Sequence, residues 1–251
     1  MKAIIGAFLA APIAVAFAIG VAQSPSAQTR TVGEYATTLV GRTPNQTHNA
    51  ALALREIRGV TIAPGDVFSF NQRLEGWTAR DGYRKAPVSY NGQLIDSWGG
   101  GVCQTSTTLY NAALLAGCEI IEKHPHQFAP SYVSPGRDAA VAYETVDLRF
   151  RNPHSFPLRI SGEVRNQTLF VRLVGVTPPM EGPKIVTEII ATHAGETFDI
   201  GRGPIRRVRN SGKLGYEYSV WRIWPDSRRE LIGRGSTPVM HRVVEHRESF
   251  D

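Results

Sequence analysis

The sequence predicts an α+β protein, in which helices, one of them bearing a cysteine, pack on a mostly antiparallel sheet and a small all-β module follows. Three observations predict it. Residues Gln46 to Arg58 and Cys103 to Gly117 have the apolar spacing of helices. Short runs of β character occupy the stretch from Ile120 to Val174, apart from a loop at Lys123–Pro135 rich in His, Pro and aromatic residues. Beyond Pro178 only short β-like segments remain, separated by Gly and Pro.

Each element has its own signal. Lys2 and the apolar run from Ala3 to Ala22 have the form of a secretory signal peptide at 1–22, and the run is almost long enough to stay as a membrane anchor. Both readings export the remainder. Small polar residues at 23–34 read as a linker, which leaves 35–176 as the main domain and 177–251 as a Gly-rich all-β module. In the first helix Ala50, Leu52, Ala53, Leu54 and Ile57 supply the apolar side, and Gly59 suits a left-handed C-terminal position. Pro64-Gly65-Asp66 is a turn before a strand at Val67 to Phe70. Asn91-Gly92 predicts a hairpin between Pro87–Tyr90 and Gln93–Ile95. After the second helix, Ile120-Ile121, Ala139–Ala142, Val146–Phe150, Leu158–Val164 and Leu169–Val174 read as strands, with Asn166-Gln167 turning the last pair. Thr177-Pro178-Pro179 reads as a break, and Lys184–Ala191, Tyr216–Trp224 and Val239–Val244 as strands of the module.

With 28 Lys and Arg against 22 Asp and Glu, the net charge is +6 over 251 residues, a balance that favours anionic partners. No helix-turn-helix, zinc-finger or RNA-binding pattern is present, so nucleic acid is not the expected partner. The glycines before Cys103 lack the GK[ST] ending of a phosphate loop, and no dinucleotide fingerprint occurs, so no cofactor is expected. Cys103 with His124 and His126 is a weak zinc pattern without CxxC or HExxH spacing, and no metal is expected.

The stretch GGGVCQTSTTLY carries the chemistry. Glycines at 99–101 lead into Cys103 at the start of a helix, where unpaired N–H groups and the macrodipole favour a thiolate. The amides around Gly101, Val102 and Gln104 can hold an oxyanion, and so can the Gln104 side chain. The bland alternative is a buried structural cysteine after a Gly-rich turn. Only Cys103 and Cys118 are present, and along one helix they lie about 22 Å apart, too far for a disulfide. A thiol nucleophile needs a base and an orienting group. His126 in the loop His124-Pro125-His126 is the preferred base, His124 the next, and His48 a further candidate. Asp138 or Asp147 is placed to orient an imidazole, Arg137 to clamp a carboxylate, and Trp98 to narrow the cleft or stack on substrate.

The ordered motifs HNAALALREIRGVTIAPGDVFSFN, GYRKAPVSYNGQLI, GGGVCQTSTTLYNAALLAG, EIIEKHPHQFAPSYVSPGRDAAVAY and VDLRFRNP span most of residues 40 to 175 and resemble the VanW family. That family is bacterial and associated with the cell envelope, and VanW domains have been connected with L,D-transpeptidation. The resemblance implies a wall-active domain with Cys103 as nucleophile and His126 as its partner. Its implied partners are peptidoglycan stem peptides and anionic wall polymers, with membrane contact only through the N-terminal segment. Asp96-Ser97-Trp98 departs from the small lead expected before the glycines. A wall-binding module without turnover, and a cysteine peptidase or amidase of the wall, are the competing readings.

Overall fold

The computed structural model describes residues 28–90, 93–177 and 180–248. The expected export segment at 1–22, the Asn91-Gly92 turn and the Pro178-Pro179 break lie outside them. In chain order the first half contains β1 (Gln28–Thr38), α1 (Pro44–Ile57), β2 (Thr61–Ile62), β3 (Val67–Ser69), α2 (Phe70–Leu74), β4 (Lys85–Tyr90), β5 (Gln93–Trp98) and α3 (Val102–Leu115). Then come β6 (Glu119–Glu122), β7 (Arg149–Arg151), β8 (Leu158–Arg165) and β9 (Thr168–Thr177). The C-terminal strands are β10 (Lys184–His193), β11 (Thr197–Gly201), β12 (Ile205–Asn210), β13 (Gly215–Ile223), β14 (Arg229–Thr237) and β15 (Arg242–Arg247).

The α+β class holds, although the strands form several small sheets. The main one has the order β1-β9-β8-β2, and beside it stand β3-β7-β6 and the hairpin β4-β5. The C-terminal strands build β10-β13-β14 and β11-β15-β12, where β11 and β15 are the one parallel pair among the described strands. The core lies between the main sheet and the helices, with Leu109, Leu114, Leu158, Ile160, Leu169 and Leu173 fully buried.

The linker expectation fails at its C-terminal part. Residues 28–34 belong to β1, which pairs antiparallel with β9 from Gln28↔Thr177 to Thr38↔Thr168. A bulge between Thr31 and Gly33 breaks the in-out alternation that would have marked a strand. Gly33 lets β1 approach α3 closely; a methyl there would sit 2.8 Å from Ala116 Cβ.

The helix α1 starts where its cap dictates. Thr43 accepts from the Gln46 N–H, Gln46 returns a bond to the Thr43 N–H, and Pro44 occupies the first turn. Gly59 takes φ +91° and releases the chain from α1 toward β2. The predicted hairpins form: β4 pairs β5 through Tyr90↔Gln93, and Asn166 and Gln167, both at positive φ, turn β8 into β9. The helix α2 was not expected. Ser69 caps it, and Asp147 accepts from Ser69 Oγ (2.6 Å) and the Asn71 N–H (2.9 Å). Asp147 is therefore a capping residue and does not orient a base.

The predicted strand at Ala139–Ala142 is not one. It makes only isolated bridges, His124↔Ala140 and Ala142↔Val146. The stretch Arg137–Val141 instead lies along α3, whose polar side chains act in place of a neighbouring strand. Ser106 Oγ donates to the Ala139 carbonyl (2.6 Å), the Ala139 N–H donates to Thr107 Oγ1 (3.0 Å), and Asn111 Nδ2 donates to the Arg137 carbonyl (2.7 Å). On the other sides Thr105 Oγ1 donates to the Ala50 carbonyl (2.9 Å), and Thr108 and Thr37 share a hydroxyl bond (2.8 Å). The helix is thus buried all round with its polar groups satisfied.

Candidate active site

The glycine turn is built from α1 outward. Asn49, fully buried, donates to the Arg84 and Gly100 carbonyls (2.8 and 2.9 Å) and accepts from the Arg84 N–H (2.8 Å). Gln46 Nε2 donates to the Pro87 carbonyl (2.9 Å). Gly101 caps α3 at φ +112°, a conformation that disfavours any side chain. A methyl on Gly99 would run into the Trp77 ring, and one on Gly100 would lie 2.7 Å from the Ala86 carbonyl oxygen. The turn therefore has room only for glycine, and it delivers Cys103 to the second position of α3.

Cys103 lines a cleft of about 410 Å³ together with His126, Tyr132, Trp77 and Trp98. The thiol is half-buried. It lies 3.4 Å from the Val141 carbonyl and accepts from the Val141 N–H at 3.5 Å. Neither cysteine forms a disulfide, and Cys118 is buried beyond α3, where burial pushes its thiol up to about 12.

The loop after β6 returns His126 to the sulfur. Asp138 accepts from His126 twice, from the backbone N–H (2.6 Å) and from ring Nδ1 (2.7 Å). Asp138 is 3 % exposed and His126 21 %. An ionised carboxylate can only accept, so Nδ1 carries the proton and Nε2 is left to interact with the sulfur that lines the same cleft. Burial opposes charge on His126, but the Asp138 hydrogen bond and the Cys103 sulfur outweigh it and hold the imidazole near about 9. Burial likewise works against the thiolate, and the His126 hydrogen bond and charge reverse the balance, leaving Cys103 below its usual range. Asp138 is also held low: burial opposes its charge, and the His126 bond and the nearby Lys123 ammonium prevail. The three groups thus favour one another's charged forms: thiolate, imidazolium and carboxylate.

The expected oxyanion donors are redistributed. The Val102 N–H donates to the Gly99 carbonyl (2.9 Å) and the Gln104 N–H to the Gly101 carbonyl (3.0 Å). The Gln104 side chain is also engaged, through Nε2 to Thr37 Oγ1 (3.1 Å) and the Thr38 carbonyl (2.7 Å). The amides of Gly101 and Cys103 itself have no acceptor among the described residues. They are backbone donors of the turn left without a partner among those residues.

Other predicted residues stand apart. His124 pairs with Glu122 (3.0 Å) and His48 with the Gly82 carbonyl (2.9 Å), both away from the cleft. Arg137 points to the far side of α3, where Nε donates to Asn111 Oδ1 (2.7 Å) and the guanidinium covers the Tyr35 ring at 4.9 Å. It is spent on packing and does not reach the cleft to clamp a carboxylate. Trp98, 40 % exposed, stands on the rim with Lys85 Nζ 5.5 Å from its ring. Among the described residues no group of three or more His, Cys, Asp or Glu is placed to hold a metal.

Sequence reasoning missed Tyr132, Trp77, Lys123, Arg42 and Lys213. Tyr132 Oη donates to the Cys103 carbonyl (3.4 Å), and burial raises its phenol. Tyr132 lies in the loop of His, Pro and aromatic residues at 123–135, where nothing in the sequence singles it out from its aromatic neighbours. Trp77 sits in a segment with no periodic pattern.

Fold and site together define a class: an α+β protein with a thiol, an imidazole and a carboxylate gathered at the head of a buried helix. Residues 45–174 match the family described as VanW like protein, and the chain belongs to that family. It is 34 % identical over 145 residues to a Bacillus subtilis protein named Uncharacterized protein YoaR, a match covering 58 % of this chain and 48 % of that one. It is 28 % identical over 182 residues to the Vancomycin B-type resistance protein VanW of Enterococcus faecalis, covering 70 % of this chain and 60 % of that protein. The chain spans about half to three fifths of the length of these curated relatives. No solved structure matches it.

Proposed function

We propose that the protein is an exported acyl transferase of the cell envelope that acts on peptidoglycan stem peptides in the manner of an L,D-transpeptidase. The observation that carries this reading is the Cys103–His126–Asp138 arrangement in an open cleft at the first turn of α3. The name of its Enterococcus relative, a vancomycin resistance protein, supports the wall as the place of action. The net charge of +6 suits an anionic wall.

The Cys103 thiolate attacks the carbonyl carbon of the third stem residue. The resulting oxyanion is held by the Gly101 and Cys103 amides. As the amide C–N bond breaks, the imidazolium of His126 gives its proton to the departing terminal D-residue, leaving a thioester and a neutral imidazole. The amine of a second stem then attacks the thioester and yields a proton to His126. The C–S bond breaks and the thiolate–imidazolium pair is restored.

Incubation of the full chain with a tetrapeptide stem tests this by mass spectrometry. A Cys103 adduct lacking the terminal residue is expected, followed by joined stems when acceptor is added. Cys103→Ala should lower turnover by at least about 1,000-fold. Stems trimmed but never joined would make the protein a hydrolase, and absence of any adduct would sink the proposal.

A further inference from the structure

We propose that Arg42 and Lys213 form a subsite for the terminal carboxylate of the donor peptide. This rests on the acyl-transfer reading, and its test separates the two. The two residues line the Cys103 cleft from opposite parts of the chain, Arg42 just before α1 and Lys213 between β12 and β13. The C-terminal strands thus contribute a residue to a cleft otherwise lined by residues between 42 and 141.

Arg42 is held ready on two sides. Its Nε donates to Gln104 Oε1 (2.9 Å), and its guanidinium carbon lies 4.9 Å from the centre of the Tyr132 ring. Both terminal nitrogens of the fork remain without an acceptor among the described residues. Neither Arg42 nor Lys213 has a carboxylate partner among the described residues, and both line the same cleft. Partial burial and the Arg42 charge both hold the Lys213 ammonium below its usual range. Two unpaired cations lining one cleft repel each other, and an anion between them relieves the repulsion.

The anion is fixed by the reaction. The carboxylate of the leaving residue lies three covalent bonds from the carbonyl that Cys103 attacks, so it enters the cleft with the scissile bond. Gln104, the residue next to Cys103, holds Arg42 on the wall of the same cleft. An anchor on the leaving group also departs with it, clearing the cleft for the acceptor amine.

The probe is a stem of sequence Ala–D-isoglutamine–Lys–D-Ala, whose only carboxylate is terminal, set against its C-terminal amide. Binding is measured by calorimetry on the Cys103→Ser variant, which separates affinity from turnover. The acid should bind about 10-fold or more tightly than the amide, and Lys213→Met and Arg42→Gln should each erase most of the difference. Lys213→Arg should keep it. A stimulus independent of the stem checks the same charge: Lys213→Met should slow alkylation of Cys103 by iodoacetate severalfold relative to iodoacetamide. Equal binding of acid and amide, binding of neither, or selectivity indifferent to both substitutions overturns the subsite. An amidated stem with diaminopimelate at its third position that binds as tightly as the lysine acid assigns the anion to the side chain and also overturns it. A stem bound acid-selectively that never acylates wild-type Cys103 overturns the acyl-transfer reading alone.

Discussion

At the residue scale the behaviour of the site turns on His126. Its imidazole is raised to about 9 and the Cys103 thiol lies below its ordinary range of about 8.5, so each group favours the charged form of the other. Acyl transfer should therefore rise on the acid side as the thiolate forms and fall as pH climbs through about 9, where His126 loses the proton it must donate. Rates of thioester formation across pH 5 to 10 check both limbs. Asp138→Asn removes the acceptor that favours imidazolium. The falling limb should then move to lower pH and the rate drop by about 100-fold or more, with the ring-proton titration of His126 followed by NMR. Cys103, His126 and Asp138 were all legible in the sequence, because a nucleophile after glycines, a histidine in a Pro-rich loop and an acid in a turn are chemically conspicuous. Arg137 was misread because its planar fork suits a Tyr ring and an Asn carbonyl as well as it suits a carboxylate.

At the element scale α3 explains most of what the sequence concealed. Its Thr105-Ser106-Thr107-Thr108 run reads as a neutral helix interior, yet these hydroxyls hydrogen-bond three neighbouring elements. The stretch beside it has strand composition without a strand partner, since its backbone is satisfied by Ser106, Thr107 and Asn111. Composition reveals a segment's own preference and not who completes its hydrogen bonds. The strand β1 was hidden by its bulge and its polar residues in the same way. The glycine turn is where conformation and contact both forbid a side chain. Gly101→Ala would force a methyl at φ +112° against the Gln46 carbonyl. It should cost about 2–3 kcal/mol and lower Tm by roughly 5–10 °C, as read by calorimetry.

At the scale of the whole molecule the C-terminal strands are fastened to the main core by Arg222. This guanidinium is almost fully buried and donates through Nη2 to the Cys118 carbonyl (2.7 Å) just past α3, while Nη1 meets Glu230 (3.3 Å). Arg222→Met should loosen the docking by about 1.5–3 kcal/mol, and hydrogen exchange in β13 and β14 should quicken before exchange in α3 does. The β character of the C-terminal region was legible, but β11, β12 and β14 were not, because their buried positions are too few to alternate visibly. The strap that carries Asp138 has a further consequence. It is stitched to the very helix that bears the sulfur, so the reactive trio has no partly assembled form short of that helix melting. On heating, catalytic decay and global denaturation should follow a single curve.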